Sequence, residues 1–210
     1  AGAQQAAPPA PSSPALDAAS IDARFKAAQE KTELDEGTRG RIAELYGQAQ
    51  NQVLEAAKFT ATGTQFTEMI AGAEAITKSL QQALVEPLQS PSQQVPKDAT
   101  SAEIDQRVAD ADAALAAAQA ERAALEQESA QRPERRRQIP ELQAAARQRL
   151  AEAQAELDAA PVATDAPELV DARRTLAAAR REAAQQELNA YDAELQSYDL
   201  RGRVLALKLD

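Results

Sequence analysis

Fifty-two of the 210 residues are alanine, and that count alone restricts the folds open to the chain. The hydrophobic share is 44%, but removing alanine leaves about 40 residues with a larger apolar side chain, and aromatic residues are 3% of the total. A compact globule of this length buries more bulky side chain than that. Alanine is the strongest helix former, and it leaves little side chain between two helices that pack together. Glycine placement points the same way, since none occurs between Ala73 and Arg201, where Ala, Gln, Glu, Arg and Leu dominate. The sequence predicts an all-α fold: an elongated antiparallel bundle of a few long, coiled-coil-like helices.

Proline and serine clusters divide the chain. Residues 1–15 hold four of the eleven prolines and no bulky apolar residue. Residues 1–19 are read as a disordered Pro/Ala-rich arm, and 20–210 as the helical domain. Ser20 is the expected N-cap of a first helix over about 20–33, with Ile21, Phe25 and Ala28 on its apolar stripe. Asp35 is the expected cap of a second helix over about 36–86. There Ile42, Leu45, Tyr46, Ala49, Val53 and Ala56 recur at helical spacing, and the pattern resumes with Phe66, Met69, Ile70, Ala73, Ile76, Leu80 and Leu84. The stretch Phe59 to Gln65 holds four poor helix formers and is expected to bend or fray. Residues 87–100, with three prolines, read as a loop.

Thr100 followed by Glu103 is a capping box that opens a third helix over about 101–160. Its seam, Ile104, Val108, Ala111, Leu115, Ala118, Arg122 and Leu125, alternates steps of four and three, as heptads do. Pro133 and Pro140 interrupt the pattern, which resumes at Ile139, Leu142, Ala146, Leu150, Ala153 and Leu157. One helix kinked near Pro133 is the favoured reading, and two helices joined by a short turn the second. Asp165 is the expected cap of a fourth helix over about 168–210, with Pro167 in its first turn. Its stripe runs through Leu169, Arg173, Leu176, Arg180, Ala184, Leu188, Tyr191, Leu195, Tyr198, Leu205 and Leu209. At 1.5 Å per residue the long helices measure roughly 60 to 90 Å, and short connections require sequential neighbours to run antiparallel.

Chemistry is limited by what is missing. The chain has no histidine, cysteine or tryptophan, which removes thiolate and imidazole nucleophiles and metal sites. The net charge of −10 opposes nucleic-acid binding. No stretch reaches the ~20 apolar residues of a membrane span. Arg132, Arg135, Arg136 and Arg137 form the one basic cluster, read first as a solvated patch offset by Glu134 and Glu141, and otherwise as a docking point for an acidic group. The acidic pairs Asp110 with Asp112 and Glu126 with Glu128 lack the carbonyl-rich loop of a calcium site and read as helix surface. Tyr191 and Tyr198, one heptad apart, read as core filling in an alanine-rich seam. No catalytic, cofactor-binding or metal-binding residue is nominated, and a non-enzyme is the expectation.

The last third carries a resemblance. The runs RRRQIPELQAAARQRLAEAQAELDA and APELVDARRTLAAARREAAQQELNAYDAELQSYDLRGRVLALKL are similar to the periplasmic porin-type domain of the long MscS-like mechanosensitive channels, including the MscK/KefA type. The matching elements are Ala166-Pro167-Glu168-Leu169, the Arg-rich alanine repeat after it, and Glu194-Leu195-Gln196-Ser197-Tyr198-Asp199. Leu45-Tyr46-Gly47-Gln48-Ala49 with Leu54-Glu55-Ala56-Ala57 also fits, so the resemblance spans about 20–210. It implies a periplasmic region of a Gram-negative inner-membrane channel, serving the osmotic shock response without conducting ions itself. It implies as partners the other subunits of a homo-oligomeric channel, and the membrane through a region not contained in this sequence. No cofactor, nucleic acid or small-molecule substrate is implied. The uncapped helical ending at Arg201–Asp210 and the lack of an initial Met read as a trimmed fragment. The alternative is a coiled-coil adaptor of envelope division or secretion machinery.

Overall fold

The computed structural model describes residues 16–86 and 99–210. The expected arm up to Ala15 and the expected loop over 87–98 lie outside the described residues. Four helices are present, α1 (Ala18–Gln29), α2 (Glu36–Val85), α3 (Ser101–Asp158) and α4 (Pro167–Leu209), with no strand among the described residues. The fold is an all-α helical bundle.

Local side-chain chemistry sets the helix starts, and in two places it differs from expectation. Asp17, not Ser20, caps α1: its carboxylate accepts the Ser20 N–H at 2.7 Å, while Ser20 Oγ accepts the Asp17 N–H at 3.2 Å. The helix therefore begins inside the stretch assigned to the arm. It also ends at Gln29, and in the connection that follows Arg39 reaches back to the carbonyls of Lys31 and Thr32 at 3.0 and 3.1 Å. Asp35 caps α2 by accepting the Thr38 N–H at 2.9 Å. Thr100 and Glu103 exchange the expected capping-box bonds at the start of α3. At α4 the Asp165 carboxylate instead pairs with Arg173. Ala166 offers its carbonyl to Leu169 and Val170, and Pro167 opens the helix, where its missing N–H costs nothing.

Two interior features also depart from propensity. The stretch Phe59 to Gln65 is helical throughout. Thr60 and Thr67 turn their hydroxyls inward to the carbonyls four residues back, Ala56 and Gly63, at 2.9 Å each, so they do not compete for the helical backbone. α3 runs unbroken through Pro133 and Pro140. The two-helix reading is thereby excluded.

Contacts sort the described residues into two units, those up to residue 60 with 145–188, and those within 61–144 with 189–210. In the first unit, Ile21, Ala28, Ile42, Tyr46, Ala49, Leu169, Ala172, Leu176 and Ala179 form the core. Four of these nine are alanines, so α1, α2 and α4 approach closely there. The Phe25 and Tyr46 rings meet at 5.8 Å between centroids. Tyr46 Oη donates to Asp171 at 2.7 Å, and Arg24 holds the same carboxylate at 2.8 Å. Burial, followed by the bond to Asp171, raises the Tyr46 phenol pKa well above its ordinary value. In this unit Arg149 pairs with Glu187 and Arg180 with Glu156, so rising numbers on α3 meet falling numbers on α4 and the two run antiparallel.

In the second unit the core is Ile139, Tyr191 and Tyr198, with Leu142 and Leu195 packed against it. A Cβ built on Gly63 would lie 3.5 Å from Ala190 Cα, an approach of α2 to α4 that two small residues permit. Each fully buried large side chain here contributes about 1.5–3 kcal/mol relative to exposure. The seam of α3 is not covered along its length. Residues 101–124 are exposed throughout, Ile104, Val108 and Leu115 among them, although these were expected inside the bundle. α4 reaches Leu205 and Lys208 beside Leu125, and no described helix covers α3 before that point.

Candidate functional site

The densest chemistry lies in the second unit, where α3 and α4 face each other around the two core tyrosines. The seam residues of α3 continue there without a break in spacing: Leu125, Ser129, Arg132, Arg136 and Ile139 keep the steps of four and three. Arginine thus occupies two positions where a seam normally carries an apolar side chain. It can do so because the opposite helix supplies an aromatic face. The Arg132 guanidinium sits 4.7 Å from the Tyr198 ring centroid and that of Arg136 lies 5.5 Å from it, while Arg135 stands 5.7 Å from Tyr191.

Hydrogen bonds fix the arrangement. Tyr198 Oη donates to the Arg132 carbonyl at 3.0 Å, and Arg132 Nη2 donates back to the Tyr198 carbonyl. Each side chain therefore grips the main chain of the other helix. Arg135 forms a two-pronged ion pair with Glu194, Nε to Oε1 at 2.9 Å and Nη2 to Oε2 at 2.8 Å. Such forked geometry is the strongest form of this contact. Arg136 meets Asp199 at 3.3 Å. Arg201 of α4 donates to Glu128 of α3 at 3.0 Å and lies 5.2 Å from the Phe66 ring centroid of α2, so it links α4 to two other helices. Gln143 donates to Asp192 at 2.7 Å.

The electrostatics follow from burial. The Arg135 pKa is raised, chiefly by its hydrogen bonds to Glu194. That of Arg132 is lowered, first by desolvation and then by the charge of Arg201. Its Nη1 has no hydrogen-bond partner among the described residues and lies 3.8 Å from Glu128, a carboxylate that Arg201 already holds. Burial likewise raises the Tyr198 pKa.

The basic cluster thus divides. Arg137 is exposed and pairs with Glu134 in its own helix, and Arg136 is exposed as well, meeting Asp199 at the surface. Arg132 and Arg135 are partly buried against α4, contrary to the solvated-patch reading, whereas Arg136 stays exposed while reaching Tyr198. Tyr191 and Tyr198 fill the core, 9% and 4% exposed. Arg122, expected on the seam, is exposed and pairs with Glu126 in its own helix. Asp110 accepts from Gln106, and Asp110 and Asp112 remain on the surface. Sequence reasoning missed Glu194, Asp199 and Glu128 as partners, since they lie 59 to 73 residues from their arginines. The unbroken heptad spacing through Arg132 and Arg136 was the available signal that these arginines face the seam.

Among the described residues no group of three or more carboxylates is placed to hold a metal ion. In the first unit, an open cleft beside Phe59 is lined by Arg149, Glu156, Arg180 and Glu187, which pair with one another. No described helix is long and apolar enough to cross a membrane.

Chemically, these arrangements hold helices in fixed register. The family described as the mechanosensitive ion channel porin domain matches residues 25–210, and the chain belongs to that family. It is therefore a channel-associated domain of the MscS type. No curated protein and no solved structure matches the chain.

Proposed function

We propose that this domain is a non-enzymatic periplasmic scaffold of a large MscS-like channel, of the MscK/KefA type, acting in the osmotic shock response. It organises neighbouring subunits above the membrane and biases gating, while the membrane-embedded part of the parent channel conducts. The observation that carries this reading is the bonding of α3 to α4 in the second unit. Three arginines and two tyrosines, the residue types best suited to ligands or chemistry, are engaged in joining helices. A domain whose reactive vocabulary goes into register suits the holding or transmission of force.

The test is electrical. Residues 25–210 are deleted from the parent channel, and tension-activated currents are recorded in membrane patches beside those of the intact protein. The expected result is a shifted tension threshold or a reduced number of assembled channels, with single-channel conductance retained. Unchanged threshold, conductance and assembly would refute a role in gating or organisation.

A further inference from the structure

The uncovered end of α3 has the features of a docking face. Ile104, Val108 and Leu115 are 42%, 54% and 57% exposed, and Ala111 and Ala118 between them are exposed as well. Scattered apolar residues on a surface need no explanation. These are not scattered: Ile104, Ala111 and Ala118 continue the heptad position that α4 covers at Leu125, Arg132 and Ile139, and Val108 and Leu115 continue that of Ser129 and Arg136, which lie beside Tyr198.

The covered part of α3 shows what a covering helix presents. It lays apolar or aromatic side chains on the seam, Leu205, Tyr198 and Tyr191. It also answers the charges beside the seam with opposite ones. Glu128 meets Arg201, and Arg135, seven residues on, meets Glu194. On the bare stretch the charges are mainly acidic. Residues 101–118 carry Glu103, Asp105, Asp110 and Asp112 against Arg107, a net charge of −3. Arg107 holds the flank of Glu128 and Arg135, while Asp105 and Asp112 stand one heptad apart on the opposite flank of the seam, and neither aspartate makes an ion pair among the described residues. Charges flanking a seam select the partner in this way.

We infer that the face around Ile104, Val108 and Leu115 binds a positively charged amphipathic helix that places cations opposite Asp105 and Asp112. A second copy of this chain would bring a like-charged face against this one. An anionic membrane surface is repelled in the same way.

The inference is tested on the whole chain with two synthetic helices of about three heptads. Both carry leucine along the seam, one with lysine and one with glutamate on the flanks. Fluorescence anisotropy reads binding. The lysine probe binds about tenfold more tightly than the glutamate probe, and the gap narrows as salt is raised. A doubly charge-swapped chain, Asp105→Lys with Asp112→Lys, reverses the preference. Val108→Gln with Leu115→Gln weakens both probes while helicity by circular dichroism stays unchanged. The inference is overturned if neither probe binds, if the swap leaves the preference as it was, or if the glutamine variant keeps full affinity. It is equally overturned if sedimentation shows the unmodified chain pairing with itself and the glutamine variant does not.

Discussion

Removing the guanidinium of Arg135 without its partner is the sharpest challenge to the interhelical seam. The Glu194 side chain is 8% exposed and that of Arg135 is 41% exposed. Losing one member of a buried pair costs about 3–5 kcal/mol, because the remaining charge is stranded away from water. Here the cation is more than one-third exposed, so solvent already screens it, and roughly half that cost is the appropriate expectation, about 1.5–2.5 kcal/mol for Arg135→Met. Urea denaturation followed by far-ultraviolet circular dichroism measures it. With a slope on the order of 2–3 kcal/mol per molar, the midpoint falls by roughly 0.5–1 M. The double variant Arg135→Met with Glu194→Leu strands no charge and recovers to within about 1 kcal/mol of the parent. Lys58→Met, which breaks the exposed pair of Lys58 with Glu55 in one helix, costs only about 0.3 kcal/mol. If Arg135→Met proves as mild as Lys58→Met, or the double variant as damaging as the single one, the seam is not organised by this ion pair.

Four further outcomes follow from particular residues. Tyr46→Phe removes the donor to Asp171 while Arg24 stays on that carboxylate, so the loss is about 1 kcal/mol in thermal or urea unfolding. In the parent chain the raised Tyr46 and Tyr198 values favour the neutral phenol in the folded state. Stability from these groups is present below the ordinary phenol value of 10.0 and is lost as pH rises through the folded values. Tyrosinate absorbance at alkaline pH should therefore lag behind that of the urea-unfolded chain, and coincident titrations would count against the burial. Asp35 is the opposite case, its pKa lowered first by the Thr38 hydroxyl. The cap is present above the ordinary aspartate value of 3.8 and is lost as pH falls through the folded value. Amide exchange at Thr38 should quicken over that fall in the parent and be pH-insensitive, after correction for intrinsic rates, in Asp35→Ala. Gly40→Ala and Gly47→Ala, where an added Cβ meets nothing within 4 Å, each stabilise α2 by up to about 1 kcal/mol, whereas Ala172→Leu in the fully buried core costs about 1–3 kcal/mol.

Much of the fold was legible because it is written in short-range chemistry. Asp35, the Thr100–Glu103 box and the alanine-rich periodicities depend on residues a few positions apart, and they mark their helices correctly. Ser20 misled because Asp17, three residues earlier, accepts Ser20's own N–H while Ser20 Oγ accepts the Asp17 N–H, so Ser20 serves as the third residue of the box and Asp17 as the cap. Phe59 to Gln65 misled because propensity counts threonine as a poor helix former. It takes no account of a hydroxyl satisfied by the previous turn, or of the contact that Gly63 permits with Ala190. The arginine seam was only half legible. Spacing puts Arg132 and Arg136 on the seam, but nothing local names Tyr198 as their counterpart, or Glu194 as that of Arg135, across a long separation. The bare end of α3 could not be read either, because periodicity marks a face as able to pack and says nothing of whether a neighbour reaches it.

The mutual grip of Arg132 and Tyr198 has a mechanical consequence. Ordinary seam contacts between alanine and leucine are nearly interchangeable from one turn to the next, so helices held by them alone can slip. Here each side chain is tied to a main-chain carbonyl of the other helix, and a displacement of one residue, about 1.5 Å, breaks both ties together. Load applied along α4 is thus handed to α3 at that point as shear. The pair works as a pin between two rods, rigid against sliding up to the load that breaks both ties.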